Sequence, residues 1–486
     1  MMQHEDFVIM MTDVHQAVKD DTPMVMFRVS VPGRVTDGQE TGYDRRAVGR
    51  LTANWDSISP NLNQVVKLGQ LLGDALFPKG PVRDAFLSSL SVHKNTPDSR
   101  LRIVLNIARE LQLVPWEFAL FHTEQGEATQ NEMLGLMSQV SIVRQLDRVV
   151  PNLAGTQAAT HPVPMVMALA DPTYLLNLEE ERRIVEDSLK AAEHIQATYV
   201  ENATSATLLG GLDQVHLFHF AGHGTFIERN TPGATFGTGA LVLDDGFGGQ
   251  SPLEAPLVAP RLVNAGVRAA VLGACLTAKR DQVQMWSSTA ANLINGGVGA
   301  VVGMQYVILD KSAIAFTKAF YEALTLGFPV DQAVTKGRIA IFELGDCRGF
   351  GTPVLYMGDC DGVVFPEFTN DPALIEERAK LRLVVNLSVG TVAGTVTGIE
   401  VAKMSEGEAK ADITTLDVDE GGIVTGFEAG SLTGGDVDVK IKAGDVAKGA
   451  KVVGITANEI GAGDSSVQET AENVSGDLTG VEIGDL

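Results

Sequence analysis

A histidine and a cysteine each close an apolar run that reads as a β-strand: VHLFHFAG leads into His223-Gly224, and AAVLGA leads into Cys275. A thiol attacks as its thiolate, so it needs a base within hydrogen-bond reach, and acyl transfer needs backbone N–H groups to hold the developing oxyanion. Functional groups of an open α/β sheet collect just past the carboxyl ends of its strands. Two neighbouring strands ending in these residues would therefore supply a nucleophile, Cys275, and its base, His223. Taken alone, a cysteine that ends an apolar strand is more often a small buried hydrophobe. The second strand end, carrying His-Gly, is what singles it out. His216 and His219 lie within the apolar run rather than beyond it and are expected to be structural or rim residues. Cys347 and Cys360 have no histidine in their context and are expected to be inert.

The elements that must position this pair form a regular alternation. From Pro164 to about Pro366, β-type runs at 165–170, 195–200, 215–222, 269–275, 300–307 and 353–358 are separated by amphipathic stretches such as NLEEERRIVEDSLKAAEH and SAIAFTKAFYEALTLG. Near-continuous apolar strands between helices predict a mostly parallel central sheet covered on both faces. Upstream, residues 1–155 alternate strand-like runs (FVIMMTDV, MVMFRVSV, LRIVLNIA, SIVRQL) with helical stretches such as Val65–Leu76. The Pro/Gly/Thr-rich segment VVPNLAGTQAATHPVP marks a boundary. Three regions are thus expected, 1–155, 156–370 and 371–486.

The last region has another texture. From Leu383 onward it is rich in Gly, Val, Thr and Asp, has one aromatic residue (Phe427), no proline and no cysteine, and carries about a dozen net negative charges. GTVAGTVTGIEV, GDVAKGAKVVGITANEI and GDLTGVEI echo one another. A β-solenoid stacks such small aliphatics without needing aromatics, whereas an acidic disordered tail is the alternative. The alternating valines and isoleucines favour β structure.

Bulk properties exclude several function classes. A formal net charge of −24 opposes a nucleic-acid footprint, which needs clustered Lys and Arg, and disfavours anionic membranes. No apolar run approaches the roughly 20 residues of a membrane span, and the N-terminus is acidic where a secretory signal is basic. A cytosolic protein is expected. Three cysteines without a C-x-x-C pair fit reduced thiols better than disulfides or zinc. No calcium loop, metal site or cofactor motif is read: GGVGAVVG (296–303) precedes a strand and lacks a P-loop lysine.

The spacing of about fifty residues from His223 to Cys275 is that of the caspase class, although the QAC-type signature is absent. HLFHFAGHG, AAVLGACLTA, INGGVGAVVGMQYVILDKSAIAFTKAFYEAL and TPVLYMGDCDGVVF, together with the upstream LRIVLNIARELQLVPWEFAL and VSIVRQL, resemble the CHAT family of bacterial caspase-like peptidases, related to separases. The blocks run in order over most of residues 60–366. The resemblance implies a caspase-like α/β sandwich with a mostly parallel central sheet flanked by helices, with the acidic Gly/Val-rich region appended. It implies an endopeptidase that cuts specific protein partners in a regulatory or antiviral-defence cascade. Residue by residue, it implies Cys275 as nucleophile, His223 as base, and the N–H groups of Gly224 and Cys275 as the oxyanion hole.

Two carboxylates at strand ends, Asp171 and Asp310, are candidates to line the S1 pocket, where either would favour Lys or Arg in the substrate. Their ordinary alternatives are a turn before Pro172 and a cap for the helix starting near Lys311. Lys279-Arg280 follows the nucleophile and could be a processing site for the enzyme itself or an upstream activating protease, making the chain a zymogen; a solvated basic loop is the alternative. A different class of reading treats the chain as a scaffold that binds a partner peptide, or joins a regulatory complex, without cutting.

Overall fold

The computed structural model describes residues 4–53, 55, 60–94, 99–123, 128–146, 162–174, 176–190, 195–231, 234–274, 282–306, 308–358, 362–365, 382–389, 395–404, 408–415, 419, 423–432, 436–448, 450–457, 465–474 and 477–483. Met1–Thr369 forms one compact unit and Asn370–Leu486 a second.

The first unit begins with β1 (His4–Lys19), β2 (Thr22–Val31), β3 (Val35–Asp44), α1 (Arg45–Thr52), α2 (Leu62–Leu76), α3 (Pro81–Lys94), β4 (Arg100–Ile107) and β5 (Val140–Gln145). It continues with β6 (Val163–Ala170), α4 (Leu178–Lys190), β7 (Ile195–Val200), α5 (Ser205–Gly210), β8 (Leu217–Thr231), β9 (Ala234–Asp244) and β10 (Gln250–Glu254). It closes with α6 (Ala255–Ala265), β11 (Ala269–Ala274), α7 (Gln282–Asn295), β12 (Ala300–Met304), α8 (Asp310–Thr325), α9 (Val330–Glu343) and β13 (Pro353–Met357).

All thirteen strands join one sheet. Two parallel blocks make up its body, β7-β6-β8-β11-β12 and β13-β5-β4-β1. The antiparallel pairing of β12 with β13 joins them, so the boundary expected at residue 155 falls inside a shared sheet rather than between separate bodies. Antiparallel β2 and β3 finish the sheet beyond β1, the β9–β10 hairpin pairs with the continuation of β8 past Gly222, and β7 is the parallel edge of the other block. With helices packed on it, this is the caspase-like α/β fold.

Local sequence explains the element ends. Asn61 and Gln64 form a reciprocal capping box at the start of α2, at 2.9 and 3.0 Å. Gly266, at φ +96°, stops α6 in the left-handed conformation that side chains disfavour. The two blocks differ in filling. Around β1–β5 the core is aromatic, with Phe77 stacked on Phe86 at 4.0 Å and Phe27 edge-on to Trp116 at 6.0 Å. Around β6, β8 and β11 it is mainly aliphatic, with Val166, Ala168, Leu241, Ala270, Leu272 and Val301 all buried. Small side chains let these strands and their covering helices approach closely.

The second unit is β-structured: β14 (Arg382–Val389), β15 (Thr395–Met404), β16 (Glu408–Thr415), β17 (Ile423–Leu432), β18 (Asp436–Val446), β19 (Lys451–Ala457), β20 (Ser465–Val474) and β21 (Asp477–Ile483). Alternate strands form two parallel sheets, β14-β16-β18-β20 and β15-β17-β19-β21, the ladder of a β-solenoid. Equivalent positions stack: Ile413 on Ile441, Val424 on Val452 and Thr425 on Val453, all of them buried.

Candidate active site

The site is built where β6, β8 and β11 run side by side. Ala170, the last residue of β6, pairs with Gly222 of β8, and Gly222 pairs on its other side with Ala274, the last residue of β11. Gly222 permits this: a Cβ there would lie 2.5 Å from the Ala170 carbonyl oxygen and 2.7 Å from the Phe220 ring. Asp171 and His223 follow Ala170 and Gly222, and their side chains meet, with His223 Nε2 3.0 Å from Asp171 Oδ1. Both are nearly sealed, at 6 % and 7 % side-chain exposure.

Asp171 is held by its own loop. Its Oδ1 accepts from the Thr173 N–H at 3.1 Å and the Thr173 hydroxyl at 2.5 Å, and its Oδ2 from the Leu176 N–H at 2.7 Å. Thr173 Oγ1 also stands 2.7 Å from His223 Nε2. Burial raises the Asp171 pKa, but the Thr173 hydroxyl, the Leu176 and Thr173 N–H groups and His223 outweigh it and hold the carboxyl below its ordinary value. It is therefore a carboxylate at neutral pH. A carboxylate fixes the tautomer of an adjacent imidazole by accepting its N–H. Nε2 is then the protonated nitrogen, and Nδ1, which has no hydrogen-bond partner among the described residues, carries the free lone pair.

The turn expected from Asp171-Pro172 is present, since the Tyr174 N–H donates to the Asp171 carbonyl at 3.1 Å. The pocket argument presumed an unpaired carboxylate, and Asp171 is fully partnered. Its service to His223, and the part of Thr173, were not read from the sequence; the available signal was a carboxylate directly after a strand one place from the His-Gly strand. Asp310 is the first residue of α8, whose N-cap is Leu309, and its side chain lies outside the described part. Cys275, Lys279, Arg280 and Cys360 also lie outside the described residues. Gly224 pairs with Leu241 on the β8–β9 hairpin.

His216, just before β8, and His219, within it, are engaged in the interior. His216 Nδ1 lies 3.0 Å from the Gly266 carbonyl oxygen. His219 is 1 % exposed, with Nδ1 2.8 Å from the Tyr321 hydroxyl and Nε2 3.1 Å from Glu181 of α4. Gly273 of β11 makes room for that pair, because a Cβ there would lie 2.9 Å from the Glu181 carboxylate. Cys347 donates to the Pro60 carbonyl at 3.3 Å, and burial, with Asp346 nearby, pushes its thiol pKa up. Among the described residues no group of three or more His, Cys, Asp or Glu is placed to hold a metal ion, and no helix is long and apolar enough to cross a membrane.

Comparison with known proteins bears on the same segment. The CHAT domain model matches residues 66–371. Among solved structures, the Arg-specific cysteine proteinase gingipain R is 12% identical over 58% of this chain and 68% of its own, with a TM-score of 0.36. A complex of Porphyromonas gingivalis RgpB pro- and mature domains gives 12%, 59%, 71% and 0.36 in the same order. The Saccharomyces cerevisiae separase–securin complex is 12% identical over 72% of this chain and 30% of its own, with a TM-score of 0.35. No curated protein matches the chain. With more than half of its length matched by one model, the chain belongs to the CHAT domain family.

Proposed function

We propose that this protein is a cysteine endopeptidase in which Cys275 is the nucleophile and His223 the base. The observation that carries the reading is the register Ala170–Gly222–Ala274 across three parallel strands. One residue beyond it, Asp171 meets His223 on one side. In this reading Cys275, the residue that follows Ala274 in the sequence, is the thiol that His223 serves.

The chemistry follows from which imidazole nitrogen is taken. With Nε2–H held by Asp171 and Thr173, Nδ1 accepts the Cys275 proton as sulfur attacks the scissile carbonyl. The N–H groups of Gly224 and Cys275 would hold the oxyanion. His223 returns the proton to the leaving amine, and water, activated by the same nitrogen, hydrolyses the thioester. Asp171 keeps the imidazole in one tautomer and steadies its positive charge.

The substrates are specific protein partners with a basic residue at the cleavage site, and the setting is a bacterial regulatory or defence cascade, as the family resemblance implies. Activation by cutting at Lys279-Arg280 belongs to this reading. So does a cytosolic location.

The test is labelling of the full chain with an extended-peptide electrophile and mapping of the modified residue. Reaction at Cys275, absent in Cys275→Ala and at least tenfold slower in His223→Ala, is the expected result. Cys275 that reacts no faster than free cysteine refutes the enzyme and leaves the peptide-binding scaffold. Proteins cut by wild type and spared by Cys275→Ala then define the substrates.

A further inference from the structure

The turn that holds His223 carries a residue whose conformation its own fold does not reward. Six non-glycine residues have positive φ among the described residues, and four of them are Asp or Asn, which tolerate the left-handed region. Tyr174, at φ +56°, is the aromatic one. A turn that opens Asp-Pro prefers glycine at its fourth position, and in Asp171-Pro172-Thr173-Tyr174 that position is a tyrosine.

Packing does not compensate. Tyr174 is 83 % exposed, and its hydroxyl has no hydrogen-bond partner among the described residues. The location is specific: Tyr174 follows Thr173, whose hydroxyl touches His223 Nε2 at 2.7 Å, and its own N–H closes the turn on Asp171. Strained backbone conformations persist where the surroundings over-determine them, and they cluster at ligand-contacting sites.

We infer that Tyr174 is a specificity-determining residue whose exposed ring receives a cationic side chain of the substrate beside the scissile bond. The inference rests on the peptidase reading and adds to it the chemistry of one contact. A base must reach the scissile bond, so a residue one place from the base's partner lies within reach of the side chains flanking that bond. The face of a tyrosine ring attracts Lys and Arg within about 6 Å. A chain of net charge −24 concentrates cationic peptides around it.

The probes are acetyl-Leu-Leu-argininal and acetyl-Leu-Leu-norleucinal, peptide aldehydes that differ in a guanidinium at the reacting residue. Protection of Cys275 from iodoacetamide is read by mass spectrometry in wild type, Tyr174→Gly and Tyr174→Phe. The argininal should protect wild type and Tyr174→Phe at lower concentration than the norleucinal, and Tyr174→Gly should lose about fivefold of that preference. The melting temperature of Tyr174→Gly should stay level or rise by about 1–2 °C, as glycine relieves the left-handed strain. An undiminished preference in Tyr174→Gly, no preference in wild type, or a melting temperature more than about 2 °C below wild type would each overturn the assignment while leaving the thiol enzyme standing. If neither aldehyde protects Cys275 in any variant, the peptidase reading itself fails and this one falls with it.

Discussion

The two parallel blocks of the sheet each pair a carboxylate with a nitrogen-bearing side chain and use the pair in opposite ways. In the block around β5, Glu117 (0 % exposed) is gripped by Arg144 (2 %), with Nε and Nη2 at 2.8 and 2.6 Å, and Gln305 donates to the same carboxylate at 2.8 Å. Burial raises the Glu117 pKa, but the Arg144 charge outweighs it and keeps the group ionised. Every polar atom of that carboxylate is spent inside a packed core. Around β8, Asp171 and His223 are nearly as enclosed, yet one imidazole nitrogen, Nδ1, has no hydrogen-bond partner among the described residues. Similar burial thus serves as a strut in one half and, in the proposed mechanism, as the setting of a base in the other. The difference lies in the surplus lone pair.

That contrast can be broken from either side. Truncating Glu117 strands the Arg144 guanidinium in the core, so Glu117→Ala should cost about 3–5 kcal/mol in denaturant unfolding. The reactivity of Cys275 in the molecules that remain folded should be unchanged. His223→Ala should do the reverse, slowing peptide cleavage about 10²–10³-fold while shifting stability far less. A loss of stability in His223→Ala as large as that in Glu117→Ala would erase the distinction.

Asp171→Asn sharpens it. The amide keeps a single acceptor oxygen, so it can serve the Thr173 donors or the Leu176 N–H but not both, and it no longer steadies an imidazolium, so turnover should fall roughly tenfold with KM little changed. The smallest effect concerns acid. Because the folded pKa of Asp171 lies below its unfolded value, near about 3.9, the unfolded chain takes up the proton first as pH falls. The stability this carboxylate contributes is complete above that value and is lost as pH drops through the folded pKa. Asp171→Asn should show a shallower decline of stability across that acid window, and equal slopes would count against the hydrogen-bonded carboxylate.

Legibility followed the range of the interactions. β6, β8, β11 and β12 were readable because a strand buried on both faces must be apolar along its length, as MVMALA and AAVLGA are. The continuation of β8 to Thr231 and its return in β9 were not, because GTFIERNT and ATFGTGA are polar and glycine-rich and owe their extension to each other. His223 could be found from its own neighbourhood, beyond an apolar run and before a glycine. The role of Asp171 depends on which strand lies beside which, fifty residues apart in the chain, and no local pattern carries that. The glycine at 222 was visible; that it is the point where two backbones nearly touch was not.

The solenoid ladder sets a rule for how this chain can change in length. Ile423 pairs with Lys451, and Glu408 with Asp436, each 28 positions on, so the aliphatic columns are continuous only at that stride. Excising a whole coil would rejoin matching rungs and shorten the rod. Removing any odd number of residues within a strand would instead turn its valines and isoleucines outward. Evolution can therefore adjust this appendage in discrete increments, as one alters a chain by links, without touching the α/β unit that precedes it in the sequence.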